Sequence, residues 1–344
     1  MRALRLHRPG PAASRPLVLE EVEEPRPGPG EVVVAVSACG VCRTDLHVVE
    51  GELPQSRTPV VPGHQAVGRV RAAGAGAEAL VGKRVGLGWL ASTCGRCRFC
   101  LSGRENLCLA PEFHGWTVDG GFADAVRARA DFVYELPESF EDLAAAPLLC
   151  AGIIGYRALR LTGLLEGDRL RGSRLGLYGF GAAGHVAIQV ARARGVDVYV
   201  MTRDRTRHQA LAQELGAAWS GGASERPPVP LDAAIVFAPA GELVPVALAA
   251  LDRGGILVLG GIHMSDTPPI PYSLLWEERV VRSVANATRD DAHAFLAEAA
   301  RIPVKTRVEA FPLEKANEAL LALKTDAIRG AAVLTTKLAG SLLG

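Results

Sequence analysis

Seven cysteines fall into three groups along the 344-residue chain: Cys39 with Cys42, the run Cys94, Cys97, Cys100 and Cys108, and Cys150 alone. The run constrains folding most, because four thiols within 15 residues reach one ion only if the intervening chain closes into a compact lobe. Two tight Cys-x2-Cys steps direct sulfurs at a common point, and the longer gap before Cys108 gives the fourth room to complete a tetrahedron. Four thiolates leave no position open for a substrate, so the expectation is a structural zinc. Iron–sulfur ligation uses similar steps, but the last spacing here is longer, and Leu109 stands where a proline usually follows the final cysteine.

An odd number of cysteines argues for metal-binding, buried or nucleophilic thiols and against a disulfide framework. The first residues carry no secretory apolar stretch, and no window reaches the ~18 uninterrupted apolar residues of a membrane span. The expectation is a cytoplasmic protein. A net charge of +1 with scattered basic residues calls for neither nucleic acid nor an acidic surface as partner.

The length exceeds what one core usually organises. The first half is rich in Gly, Pro and short valine runs such as 31–36, which predicts a twisted, largely antiparallel strand domain with further strands at 66–72, 84–87 and 122–126. A helical segment over 144–161 is expected to break near Gly152 and Gly155. From Arg174 strands (174–178, 197–201, 233–237, 256–259, 280–284) alternate with helices (183–194, 207–215, 243–251), the pattern of a doubly wound α/β domain. The tail offers helices at 289–300 and 313–323 and strands at 305–308 and 331–335. It either extends the parallel sheet or returns to the first domain. The expected domains are 1–151 with a metal lobe at 92–110, 152–290, and a C-terminal segment 291–344.

Gly179-Phe-Gly181-Ala182-Ala183-Gly184 lies between a predicted strand and a predicted helix, which turns a weak glycine string into a dinucleotide fingerprint. A second metal set is Cys39 or Cys42 with His64 and Cys150. Two thiolates and an imidazole are a catalytic zinc arrangement whose fourth position stays open, but spacing does not decide between Cys39 and Cys42.

The dispersed elements Cys42-Arg43-Thr44-Asp45-Leu46-His47, Gly63-His64, the four-cysteine lobe, 118–122 and 147–152 occur together and in order over nearly the whole chain. In this the sequence resembles the zinc-dependent alcohol dehydrogenases of the medium-chain dehydrogenase/reductase family, with a GroES-like catalytic domain and a Rossmann cofactor domain. The resemblance implies Cys42, His64 and Cys150 as catalytic zinc ligands and leaves Cys39 as a buried thiol. It implies two Zn2+ per subunit, Asp45 orienting His64, and a proton relay from substrate through Thr44 and the cofactor ribose to His47 and water. Arg43 and Arg329 match pyrophosphate contacts, and Trp89 and Trp116 match the alcohol pocket and its mouth. Thr202, with Arg203 following, occupies the position of the ribose-binding acid of NAD-specific members, which favours NADP(H), although Asp204 argues for NAD(H).

Gln65 departs from the glutamate many relatives carry beside the metal histidine. An amide brings no negative charge, so the site is formally more positive and favours a more acidic bound water or alcohol. The implied function is interconversion of neutral alcohols with aldehydes or ketones by hydride transfer, in a homotetramer or homodimer. Two other readings are a zinc-independent quinone or enoyl reductase of the same fold and a non-enzymatic zinc-stabilised binding or structural protein. Neither is expected to combine both cysteine sets with turnover.

Overall fold

The computed structural model describes residues 1–54, 57–165, 172–302 and 304–337. The chain forms two compact units: Met1–Cys150 with Thr288–Ala300 and the chain from Lys305, and Ala151–Ala287 with Arg301–Val304.

The first unit is built on a seven-stranded sheet in the order Val308–Pro312, Ala331–Thr335, Glu31–Val41, Gln65–Ala73, Arg84–Leu87 and Val133–Glu135, with Ala125–Arg129 also paired to Glu31–Val41. Only the Val308–Pro312 and Ala331–Thr335 pair is parallel. Glu31–Val41 sits at its centre, and nearly every residue in it is buried on both faces, so its sequence is continuously apolar instead of alternating. The tail therefore returns to the first unit, since Ala331–Thr335 pairs antiparallel with Glu31–Val41.

Three local expectations change. The strand predicted at 122–126 forms at Ala125–Arg129, because the backbone N–H groups of Gly120, Gly121 and Phe122 are already bonded to the carbonyls of Val61, Gly63 and Pro62. The strand at 305–308 begins instead at Val308, where pairing with Ala331–Thr335 starts. The break expected at Gly152 and Gly155 falls at Cys150, whose backbone (φ −128°, ψ −73°) leaves the helical region between the short helix Ala146–Leu149 and the helix Ala151–Leu161. Glycine in a helix interior costs only about 1 kcal/mol, which packing of the buried face readily offsets.

The second unit is an all-parallel six-stranded sheet ordered Trp219–Gly221, Asp197–Met201, Arg174–Tyr178, Leu231–Val236, Leu251–Leu259 and Val280–Ser283. Chain order reverses beside Arg174–Tyr178, the doubly wound arrangement whose ligands lie at the carboxyl ends of the strands. The predicted helix at 207–215 opens instead as a wide turn, Arg205–Gln209, before Ala210–Glu214, because Asp204 caps it through the Arg207 N–H. Among the described residues no single helix is long and apolar enough to cross a membrane.

Candidate active site

Cys42 ends the central strand region and caps the helix Arg43–Glu50. Its extended backbone (φ −133°) lets Sγ accept the Thr44 N–H at 3.4 Å, while the Asp45 carboxylate accepts the Cys42 N–H at 2.9 Å. This is a capping box with a thiol in place of the usual hydroxyl. Thr44 is thus in the first turn of a helix.

The second Asp45 oxygen accepts from His64 Nδ1 at 3.0 Å, with both side chains essentially inaccessible. A carboxylate only accepts, so Nδ1 is the donor, and Nε2 is the nitrogen that can ligate a metal once it gives up its proton. Nε2 lies 3.5 Å from Cys42 Sγ. The ligand atoms of Cys42, His64 and Cys150 all fall within 4.8 Å of one another. Cys39 is a buried thiol outside that group.

The electrostatics of the cluster suit a cation. Burial opposes a charge on His64, but Asp45 and the Cys42 sulfur together outweigh it and hold the ring up to about 10, so a metal at Nε2 takes the place of a proton. The hydrogen bond with Cys150 and burial push the Cys42 thiol well up. Two facing thiols cannot both ionise without a positive centre between them, and a divalent ion there removes the conflict. His114, unremarked in the sequence, donates Nδ1–H to the Gly88 carbonyl at 2.9 Å and is pushed down to about 4 by burial, so it adds no competing charge beside His64.

Trp89 meets the His64 ring edge-on at 5.1 Å. Phe113 stacks on Trp89 at 5.1 Å, Trp116 stacks on Trp89 at 6.0 Å, and Trp116 Nε1–H donates to the Pro54 carbonyl at 3.0 Å. Phe113, which no sequence motif singled out, completes this three-ring wall.

Cys94, Cys97, Cys100 and Cys108 also bring their sulfurs within 4.8 Å of one another. The Cys94 N–H points at Cys108 Sγ at 3.2 Å and the Ala110 N–H at 3.4 Å. Backbone N–H groups of Cys100 and Leu109 pull the Cys97 thiol down to about 6, those of Arg96 and Cys97 lower Cys94, and burial pushes Cys100 up to about 11. N–H groups aimed at sulfur favour thiolates, the form a metal takes.

In the second unit Gly179 follows the strand Arg174–Tyr178 with φ +88°, and a Cβ there would stand 2.7 Å from the Ala238 nitrogen. Only glycine fits this turn. Gly181 caps the helix Ala182–Ala193 with open space around it, Ala182 is exposed, Ala183 is half-buried and Gly184 is buried. Thr202 is buried, with its hydroxyl 3.5 Å from His208 Nδ1. Arg203 is exposed, while the Asp204 carboxylate accepts from the Arg207 N–H at 2.9 Å and the Thr206 hydroxyl at 3.1 Å. In the first unit Arg43 pairs with Asp326 at 3.3 Å and Arg329 is exposed. A cavity of about 500 Å³ lined by Thr162, Ser173, Arg174, Asp232 and Ile256 lies at the amino ends of the parallel strands, the opposite end from the glycine turn.

A predominantly antiparallel unit carrying one three-donor and one four-thiol cluster, together with a doubly wound unit bearing a dinucleotide turn, defines a nicotinamide-type oxidoreductase architecture. Residues 28–138 match the alcohol dehydrogenase GroES-like domain. The chain is 50% identical over 341 residues to a probable alcohol dehydrogenase, AdhA, of Mycobacterium tuberculosis, covering 97% of each. It is 37% identical over 339 residues to an alcohol dehydrogenase of Geobacillus stearothermophilus, covering 93% of this chain and 96% of that one. A cinnamyl alcohol dehydrogenase structure from Sorghum bicolor superposes with a TM-score of 0.86 at 29% identity, covering 97% of each chain. The chain belongs to the zinc-type medium-chain alcohol dehydrogenase family. It is an oxidoreductase that interconverts alcohols with aldehydes or ketones through a nicotinamide cofactor.

Proposed function

We propose that the chain is a zinc-dependent, NADP(H)-preferring alcohol dehydrogenase and carbonyl reductase acting on neutral substrates. The carrying observation is the convergence of Cys42, His64 and Cys150 with Asp45 fixing the His64 tautomer. Those three would hold a catalytic zinc, and Cys94, Cys97, Cys100 and Cys108 a structural one. Bound there, zinc supplies a Lewis acid for the substrate oxygen, and the nicotinamide supplies a hydride acceptor or donor.

The chain's own groups then handle orientation and protons. Asp45 holds a proton on Nδ1, which leaves Nε2 as the ring's ligating nitrogen. Thr44 accepts the alcohol proton during oxidation and returns it during reduction, and His47 exchanges it with solvent. Trp89 and Trp116, with Phe113, form an apolar wall for the organic part of the substrate. Gly179, Gly181, Ala182, Ala183 and Gly184 cradle the pyrophosphate, with Arg43 and Arg329 as further phosphate contacts.

NADP(H) is favoured although Asp204 follows closely, because one Asp204 oxygen is engaged in capping a turn, accepting from the Arg207 N–H and the Thr206 hydroxyl. Thr202 brings no negative charge, and the exposed Arg203 guanidinium can fork onto a 2′-phosphate. Seven free thiols suit a reducing, cytoplasmic setting. Assembly with further copies, as a homotetramer or homodimer, is supported by the strand Val280–Ser283, whose residues are all exposed at the edge of its sheet.

An absorbance assay comparing NADPH with NADH over a panel of aldehydes and ketones, with zinc quantified before and after chelation, tests this reading. Two zincs per subunit and NADPH preference are expected. Strong NADH preference overturns the Thr202 and Arg203 assignment, and full activity without zinc overturns the metal assignment.

A further inference from the structure

The helix that begins at Cys42 ends in a turn that acts on His47. Gly51 follows Glu50 with φ +79°, its N–H bonds to the Val48 carbonyl at 3.2 Å, and the Glu52 N–H bonds to the His47 carbonyl at 2.9 Å. This is a Schellman motif, which folds the chain back by one residue past the glycine. It delivers the Glu52 carboxylate to His47, and Oε2 pairs with Nδ1. The His47 side chain is 15% exposed and that of Glu52 is 49% exposed, so the pair lies between a sheltered imidazole and open solvent.

We propose that Glu52 is a positioning residue for the proton-exchanging histidine, a role that rests on the relay reading above. The carboxylate only accepts, so Nδ1 of the neutral ring must donate to it, and Nε2 keeps the lone pair that takes up a proton. When Nε2 is protonated, the imidazolium faces the Glu52 carboxylate until the proton is released to water. Without Glu52 the ring loses the acceptor that holds its proton on Nδ1. Asp45, the third residue of the same helix, orients His64 in the same way, so a carboxylate sets a histidine near each end of the helix.

The test uses the zinc-loaded full chain and the variants E52A, E52Q, H47Q and H47Q/E52A. E52A is expected to lower kcat roughly tenfold, with the NADPH Kd (from protein fluorescence) and the alcohol KM within about twofold. E52Q keeps an acceptor oxygen and is expected to stay within about threefold of the parent. On the H47Q background E52A adds nothing, because Glu52 acts through His47. Independently of turnover, hydrogen–deuterium exchange at the His47 C2 carbon, read by mass spectrometry, changes in E52A while the other histidines do not. Parental kcat in E52A beside an impaired H47Q overturns the inference alone, as does an E52A effect that persists in H47Q. Parental kcat in H47Q overturns the relay reading and the inference with it.

Discussion

Replacing Asp45 by Asn separates geometry from charge at the three-donor cluster. Asp45 is 2% exposed and accepts two bonds, from Cys42 N–H at 2.9 Å and His64 Nδ1 at 3.0 Å. Asparagine fits the same space but has one acceptor and one donor end. If its oxygen serves Cys42, its NH2 faces the Nδ1–H of His64, and the ring escapes by moving its proton to Nε2, the nitrogen required for ligation. If its oxygen serves His64, the capping box opposes two donors instead. Either way one bond to a charged acceptor is lost, worth about 1.5–3 kcal/mol. At about 1.4 kcal/mol per decade, zinc affinity falls roughly 10- to 150-fold, in keeping with the usual cost of removing a ligand-orienting carboxylate. Competition with a chromogenic chelator, followed by metal analysis, should find D45N losing one zinc per subunit while the four-thiol lobe keeps its own. Two zincs held with parental affinity would falsify the assignment of Asp45 as the group that sets the histidine.

Three further outcomes are expected. Tyr178 is fully buried, and its hydroxyl has no hydrogen-bond partner among the described residues, so Y178F should raise stability by about 1 kcal/mol in a denaturant titration; a loss of that size would mean that a buried water satisfies the hydroxyl. Gln65 is 3% exposed, with Nε2 unpartnered among the described residues. Q65E places negative charge beside His64 and should move the pH–rate profile for alcohol oxidation upward by at least ~0.5 unit, and superimposable profiles would sink the expectation. V281E puts a charge on the exposed sheet edge and should reduce the assembly size seen by light scattering; an unchanged mass would place the contact elsewhere.

Much of the site was legible because its residues are chemically rare and locally ordered. The four-thiol run and the glycine turn carry their geometry in their spacing, and the structure brings the four sulfurs together and sets Gly179 in the left-handed region. Helix ends were less legible. Asp204 reads as a counterargument to NADP(H), and its role as the cap of a turn through the Arg207 N–H had no local signal. Glu52 reads as an ordinary surface acid until the Gly51 turn folds it onto His47. Phe113 and His114 carried no signal, because an aromatic or a histidine near a short strand is common in any core.

Local pattern was enough to read the two-unit α/β architecture, the dinucleotide turn and the four-thiol lobe, since periodicity, glycine placement and close spacing act over a few residues. It took the folded chain to show that the tail closes onto Glu31–Val41, that the helix break falls at Cys150, and how closely Cys42, His64 and Cys150, which the resemblance had grouped, approach one another. Those outcomes depend on sheet register and on long-range pairing between segments far apart in the chain. No local pattern encodes which strand edge a distant segment will find, because that choice is made by the apolar area and hydrogen bonds the whole unit satisfies together.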